Sequence, residues 1–151
     1  MEFWSQESDY FKLQPLTKEM VAHAEKELKI KLPESLITLL EKQNGGYINF
    51  DAHPTSLPTE WADDHIKVDH IYGIAPNEGL LQSSYLISEW GLPKKLIIIS
   101  GDGHWWIALD YRNCNDLPPV IYIESDSGFT IELANNFNSF LTGLCNWEYE
   151  D

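Results

Sequence analysis

The sequence predicts an α+β fold: a single domain whose mainly antiparallel central sheet is flanked by about four helices. Three observations predict it. Two apolar runs, Leu96-Ile97-Ile98-Ile99 and Trp105-Trp106-Ile107-Ala108-Leu109, flank Gly101-Asp102-Gly103, and two strands joined by such a turn make a hairpin. Apolar residues also recur at helical spacing, in the order helix, helix, strands, helix, strands, helix. Finally, 151 residues bury a proper core without staples.

Taken in order, residues 1–14 hold Phe3, Trp4, Tyr10 and Phe11 among polar residues. They read as a short helix or as an arm that packs its aromatics onto the domain. Pro15-Leu16-Thr17 opens the first helix, with Thr17 as N-cap and Glu19 where the helix dipole favours negative charge. Met20, Val21, Ala24 and Leu28 form its buried stripe, with His23 at the exposed edge. Pro33 suits the first position of a second helix, whose apolar face is Leu36, Ile37, Leu39 and Leu40. Asn44-Gly45-Gly46 stops that helix, since both residue types tolerate a left-handed cap.

Tyr47-Ile48-Asn49-Phe50 reads as a strand and residues 51–65 as an irregular loop broken by Pro54 and Pro58. Residues 66–74 resume as a strand. Pro76 or Asn77 opens a third helix with Leu80, Leu81, Tyr85, Leu86 and Trp90 as its apolar positions, ended by Gly91-Leu92-Pro93. The continuous run 96–99 suits a strand covered on both faces. In the next strand Trp106, Ala108 and Asp110 take one face, and Trp105, Ile107, Leu109 and Tyr111 the other. Val120-Ile121-Tyr122-Ile123 is a further strand, paired with residues 129–133 across Ser125-Asp126-Ser127-Gly128. Phe137, Phe140, Leu141 and Leu144 mark the last helix, and residues 146–151 form an acidic, aromatic tail.

Composition narrows the class. The two cysteines, Cys114 and Cys145, form no metal-ligand spacing and no disulfide framework, which fits a reducing compartment. The N-terminal stretch carries acids and no long apolar core, unlike a secretory signal, and no apolar run reaches the roughly 18 residues of a membrane span. A cytoplasmic protein is expected. With 24 acidic against 10 basic residues the net charge is −14. That field repels phosphate backbones and anionic membranes, so neither direct nucleic-acid binding nor membrane binding is expected. It attracts basic protein surfaces, although acidity also serves solubility alone.

Catalytic chemistry has few places to live. Gly101-Asp102-Gly103 is no dinucleotide loop, because a strand follows it, and no calcium loop, because further acidic ligands are missing. Asp51, His53, Asp63, Asp64, His65, Asp69 and His70 carry the most chemical potential. Their spacing argues against a shared metal: His65 and His70 are five apart, and Asp63 and Asp64 point apart in an extended segment. No metal or cofactor is therefore expected, and a solvated acidic loop is the reading. Cys114 has only Arg112 near it to activate a thiolate, and Cys145 follows a core stripe. The chain reads as a binding module rather than an enzyme. Its candidate anchors are Trp61, Trp105, Trp147 and Tyr149, flanked by Glu60, Asp63, Asp64, Glu148, Glu150 and Asp151, each tryptophan reading equally well as core.

One ordered series of motifs adds a family. Glu25-Lys26-Glu27-Leu28, Leu32-Pro33-Glu34-Ser35-Leu36 and Asn44-Gly45-Gly46 resemble the N-terminal signature of the SUKH superfamily, which includes the cell-wall assembly regulator (Knr4-like) proteins. Tyr72-Gly73-Ile74, Glu89-Trp90-Gly91-Leu92-Pro93, Gly101-Asp102-Gly103, Ala108-Leu109-Asp110 and Phe137-Asn138-Ser139-Phe140-Leu141 continue it in family order. The resemblance spans about residues 17–144 and departs at His104-Trp105-Trp106, where the family more often has glycine or a small polar residue. It implies an α+β fold without an active site. It also implies an immunity protein that binds and neutralises a cognate toxin domain, often a nuclease, from polymorphic or contact-dependent systems. The alternatives are a regulatory protein-binding scaffold, or a small metal-dependent hydrolase built on residues 51–70.

Overall fold

A computed structural model describes residues 2–147 and has the α+β architecture that the sequence predicts. Thr17 caps α1 (Lys18–Leu28) by accepting the Met20 amide N–H at 3.2 Å. Ala24 is fully buried in the helix stripe and His23 is exposed. Pro33 stands one place earlier than expected, as the N-cap of α2 (Glu34–Lys42), and its carbonyl accepts from the Leu36 and Ile37 amides.

Asn44-Gly45-Gly46 is more than a helix stop. Gln43, in extended conformation, closes α2, which leaves Asn44 free to turn inward. There the buried Asn44 amide donates to the carbonyls of Gln14 and Ile74, both at 2.7 Å, and its oxygen accepts the Ile74 N–H at 2.8 Å. Gly73 lies so close that a Cβ there would collide with the Asn44 backbone and side-chain oxygens. One side chain thus joins the arm, the end of α2 and the middle of the chain.

The strands expected at 47–50 and 66–74 are fragmented, because each short piece takes a different partner. β1 (Gly46–Tyr47) pairs with β4 (His70–Ile71), and β2 (Ala52–Pro54) with β3 (His65–Lys67). β2 lies inside the expected loop, and Pro54 fits at its end because the end of a strand tolerates a missing N–H. The third helix also starts later than expected. Pro76-Asn77 is the turn between β5 (Ile74–Ala75) and β6 (Glu78–Gly79), and a 3₁₀ turn (Leu80–Gln82) precedes α3 (Ser83–Trp90).

The main sheet contains β7 (Leu96–Gly101), β8 (Trp105–Asp110), β9 (Val120–Glu124) and β10 (Thr130–Ala134), antiparallel in the order β10-β9-β8-β7. Its two faces divide as the alternation predicts. Ile97, Ile99, Trp105, Ile107, Leu109 and Tyr111 join Leu36, Leu40 and the phenylalanines of α4 (Phe137–Gly143) in the larger core. Leu96, Ile98, Trp106, Ala108, Ile121 and Ile123 pack under Leu86, Ile87 and Leu92. Tyr85 and Trp90, expected among the apolar positions of α3, are instead 64% and 44% exposed. Leu86 and Ile87 are the apolar α3 residues that pack into the core on this face of the sheet, and the Ser83 hydroxyl accepts the Ile98 N–H at 2.8 Å. A register shift in β7 leaves the Ile99 carbonyl to accept the Tyr72 N–H at 2.8 Å, so the sheet edge is covered. The N-terminal segment is an arm: Trp4 bridges to Ile48 and is buried, with Phe3 edge-on to it at 5.0 Å.

Candidate functional site

Both hairpin turns of the main sheet lie at one end, and the loop of residues 55–64 is drawn to the same end. In the first turn Asp102 Oδ1 accepts from the amides of His104, at 2.9 Å, and Trp105, at 3.3 Å. The Ser125 hydroxyl joins the second turn to the first, donating to Gly103 O at 2.8 Å and accepting from Trp106 Nε1 at 2.9 Å. Glu124 holds the loop. Its buried Oε2 accepts the Glu60 amide N–H at 2.8 Å and the Tyr122 hydroxyl at 3.0 Å.

Electrostatics agree with that placement. The Tyr122 hydroxyl titrates well above its ordinary value, first through burial, then through its bond to Glu124 and the charges of Glu124, Glu60 and Asp102. Burial, with Asp102 next, pushes Tyr72 up to about 12. Carboxylates that are far apart in sequence therefore share one field.

The predicted site residues divide clearly. Glu60, Asp63 and Asp64 are exposed, and Trp61 is 49% exposed beside them. Thr59 shapes this part of the loop, its hydroxyl accepting from the amides of Trp61, at 3.2 Å, and Ala62, at 3.3 Å. His65 and Lys67 are two apart on β3, hence on one face. Trp147 stacks on His65 at 3.9 Å, and the Lys67 ammonium lies 5.7 Å from the Trp61 ring centroid. Trp61 and Trp147 thus flank the same short strand. Glu148, Tyr149, Glu150 and Asp151 lie outside the described residues.

Trp105 is a correction. It is only 8% exposed, because it shares the face of β8 that meets the larger core, where it stacks with Tyr122. It supports the end of the sheet and offers no surface to a partner. Sequence reasoning also missed three contributors. Leu57 is 50% exposed within the loop, and Trp90 leans over the first turn, 5.9 Å from Trp106 and against Gly103. Glu124 is 64 residues from Glu60, and no local pattern announces that contact.

Five of the residues considered for metal chemistry are held by neighbouring groups, and Asp63 is exposed. Asp51 accepts the Trp147 amide at 2.9 Å, Asp64 pairs with His65 Nδ1 at 3.0 Å, and Asp69 with His70 Nδ1 at 2.7 Å. His70 Nε2 lies 3.0 Å from Gly101 O. Among the described residues, no three of His, Cys, Asp and Glu gather so as to hold a metal ion. Burial raises the thiol pKa of Cys114, helped by Asp110 and Asp116, and that of Cys145, helped by Asp51, the opposite of an activated nucleophile.

His53 stacks on Phe140 at 5.1 Å, with Nδ1 2.9 Å from Pro54 O and Nε2 buried without a partner of good geometry. Burial outweighs its backbone contacts and lowers its pKa. The unfolded chain therefore binds more protons below about pH 6.5, so this contribution is complete above that pH and is lost as pH falls toward the folded value. Urea unfolding between pH 7.5 and 5 should show wild-type stability falling at up to about 1.4 kcal/mol per pH unit from this group. His53→Phe should lose less over the same window; equal slopes would contradict a neutral buried imidazole.

The family model described as SMI1 / KNR4 family (SUKH-1) matches residues 15–143, most of the chain. No curated protein matches it. Among the described residues, no helix is long and apolar enough to cross a membrane.

Proposed function

Because this chain belongs to the SMI1 / KNR4 family (SUKH-1), we propose that it is a non-catalytic immunity protein that neutralises a cognate toxin domain. The acidic, aromatic end of the sheet is the docking face. The observation that carries this reading is the Glu124–Glu60 contact, which draws the loop that holds the exposed Trp61 to the end of the sheet where both turns lie. Glu60, Asp63 and Asp64, next to Trp61 in the loop, and Asp102 and Asp126, in the two turns, are all exposed and negative. A basic toxin surface fits such a face. Acidic groups speed encounter, and the tryptophan anchors the complex once water is excluded. A nuclease is a natural target, since a surface that binds phosphate is basic.

Association kinetics test the face. The toxin candidate to use is the C-terminal domain of any large secreted protein found encoded adjacent to this chain. Asp63→Asn with Asp64→Asn should slow its association about tenfold at low salt and flatten the salt dependence, with little change in dissociation. Association and salt dependence equal to wild type would place the docking face elsewhere.

A further inference from the structure

Asn44 and Gly45 form the one Asn-Gly pair in the sequence. In an unfolded chain that pair is chemically fragile, because glycine presents its main-chain nitrogen to the asparagine carboxamide with no side chain in the way. The fold has no safer pair to use. Position 44 must supply two N–H donors, to Gln14 O and Ile74 O, and an acceptor for the Ile74 N–H, a set that only a carboxamide offers. Glutamine would bring one more methylene into a buried site. Position 45 must be bare: its φ is +94, and a Cβ there would stand 2.7 Å from both Gly73 N and Phe11 O.

We propose that Asn44 is a site of spontaneous deamidation that the folded state keeps closed, and that reaction there in the unfolded chain is a one-way exit from folding. The Gly45 nitrogen gives its proton to water or hydroxide and attacks Asn44 Cγ. The new C–N bond closes a five-membered succinimide as the Cγ–Nδ2 bond breaks, and Nδ2 takes a proton and leaves as ammonia. Water then opens the ring at either carbonyl, leaving aspartate or, with the main chain routed through Cγ, isoaspartate. The fold opposes each step. The Gly45 N–H is committed to Gln43 O at 2.9 Å, both N–H bonds of Nδ2 are engaged at 2.7 Å, and the side chain is buried away from bulk water. Ring closure must break all three of these bonds. Neither product fits afterwards. An ionised aspartate only accepts, so it sets a buried charge against the Gln14 and Ile74 carbonyls. Isoaspartate lengthens the main chain where Gly45 and Gly73 meet too closely for a Cβ. None of this depends on the docking face.

Peptide mapping of the full wild-type chain, held at mildly alkaline pH either in buffer or unfolded in guanidinium chloride, tests both halves. Aspartate and isoaspartate at position 44 should accumulate at least about a hundredfold more slowly in buffer, because only the small open fraction reacts there. The chain aged in guanidinium until part of it has reacted is then diluted into buffer, and the folded fraction is collected by size exclusion. Asn44 should be intact in that fraction, with both products confined to the expanded or aggregated material. Comparable rates in buffer and in denaturant would overturn the protection. Folded chain that carries the products in the same proportion as the whole sample would overturn the one-way exit.

Discussion

Asn44→Ala should lower the free energy of unfolding by about 3–5 kcal/mol, a large part of what holds a domain of this size folded. The substitution removes three hydrogen bonds at once and leaves the Ile74 N–H and C=O buried without partners. Each such group costs about 1–3 kcal/mol, whereas Gln14 O, nearer the surface, recovers part of its loss from water. The close approach of Gly73 prevents the backbone from collapsing onto the vacated space. Urea unfolding of wild type and variant measures the difference. A loss below about 1 kcal/mol would show that Asn44 only ends a helix.

Trp61→Ala should weaken the toxin complex by about 2 kcal/mol or more, roughly thirtyfold, while unfolding changes by less than about 0.5 kcal/mol. The separation of the two effects follows from where the ring sits. Half of it faces solvent, the Lys67 ammonium lies over its ring, and Thr59 shapes the loop through backbone bonds that the substitution leaves intact. Titration calorimetry with the toxin domain and a thermal melt of the free chain measure the two quantities. Unchanged affinity would remove Trp61 as the anchor.

The sequence was most informative where local chemistry decides structure. The hairpin of β7 and β8, the two-faced burial of residues 96–99, the Thr17 cap and the α4 stripe all follow from spacing and turn residues that act within a few positions. It was least informative between residues 44 and 82. There the short strands are set by partners far along the chain, so a run that alternates like one strand is divided among β3, β4 and β5. The candidate site shows the same division. Glu60, Trp61, Asp63 and Asp64 stand out as an acidic segment around a tryptophan, and they are exposed together. Trp105 resembles them in sequence, yet the pleat turns it into the core. Glu124, which holds the loop, reads locally as the polar end of a strand, because its role depends on a contact 64 residues away.

The central claim, that this chain neutralises a toxin through the acidic end of its sheet, is tested most directly by rescue in cells. The chain would be co-expressed with the C-terminal domain of any large secreted protein found encoded adjacent to it. Survival of cells that otherwise die, a co-purified complex, and loss of both in a Trp61→Ala variant that still folds are the predicted results. Death despite abundant folded protein, with no complex recovered, would contradict the claim.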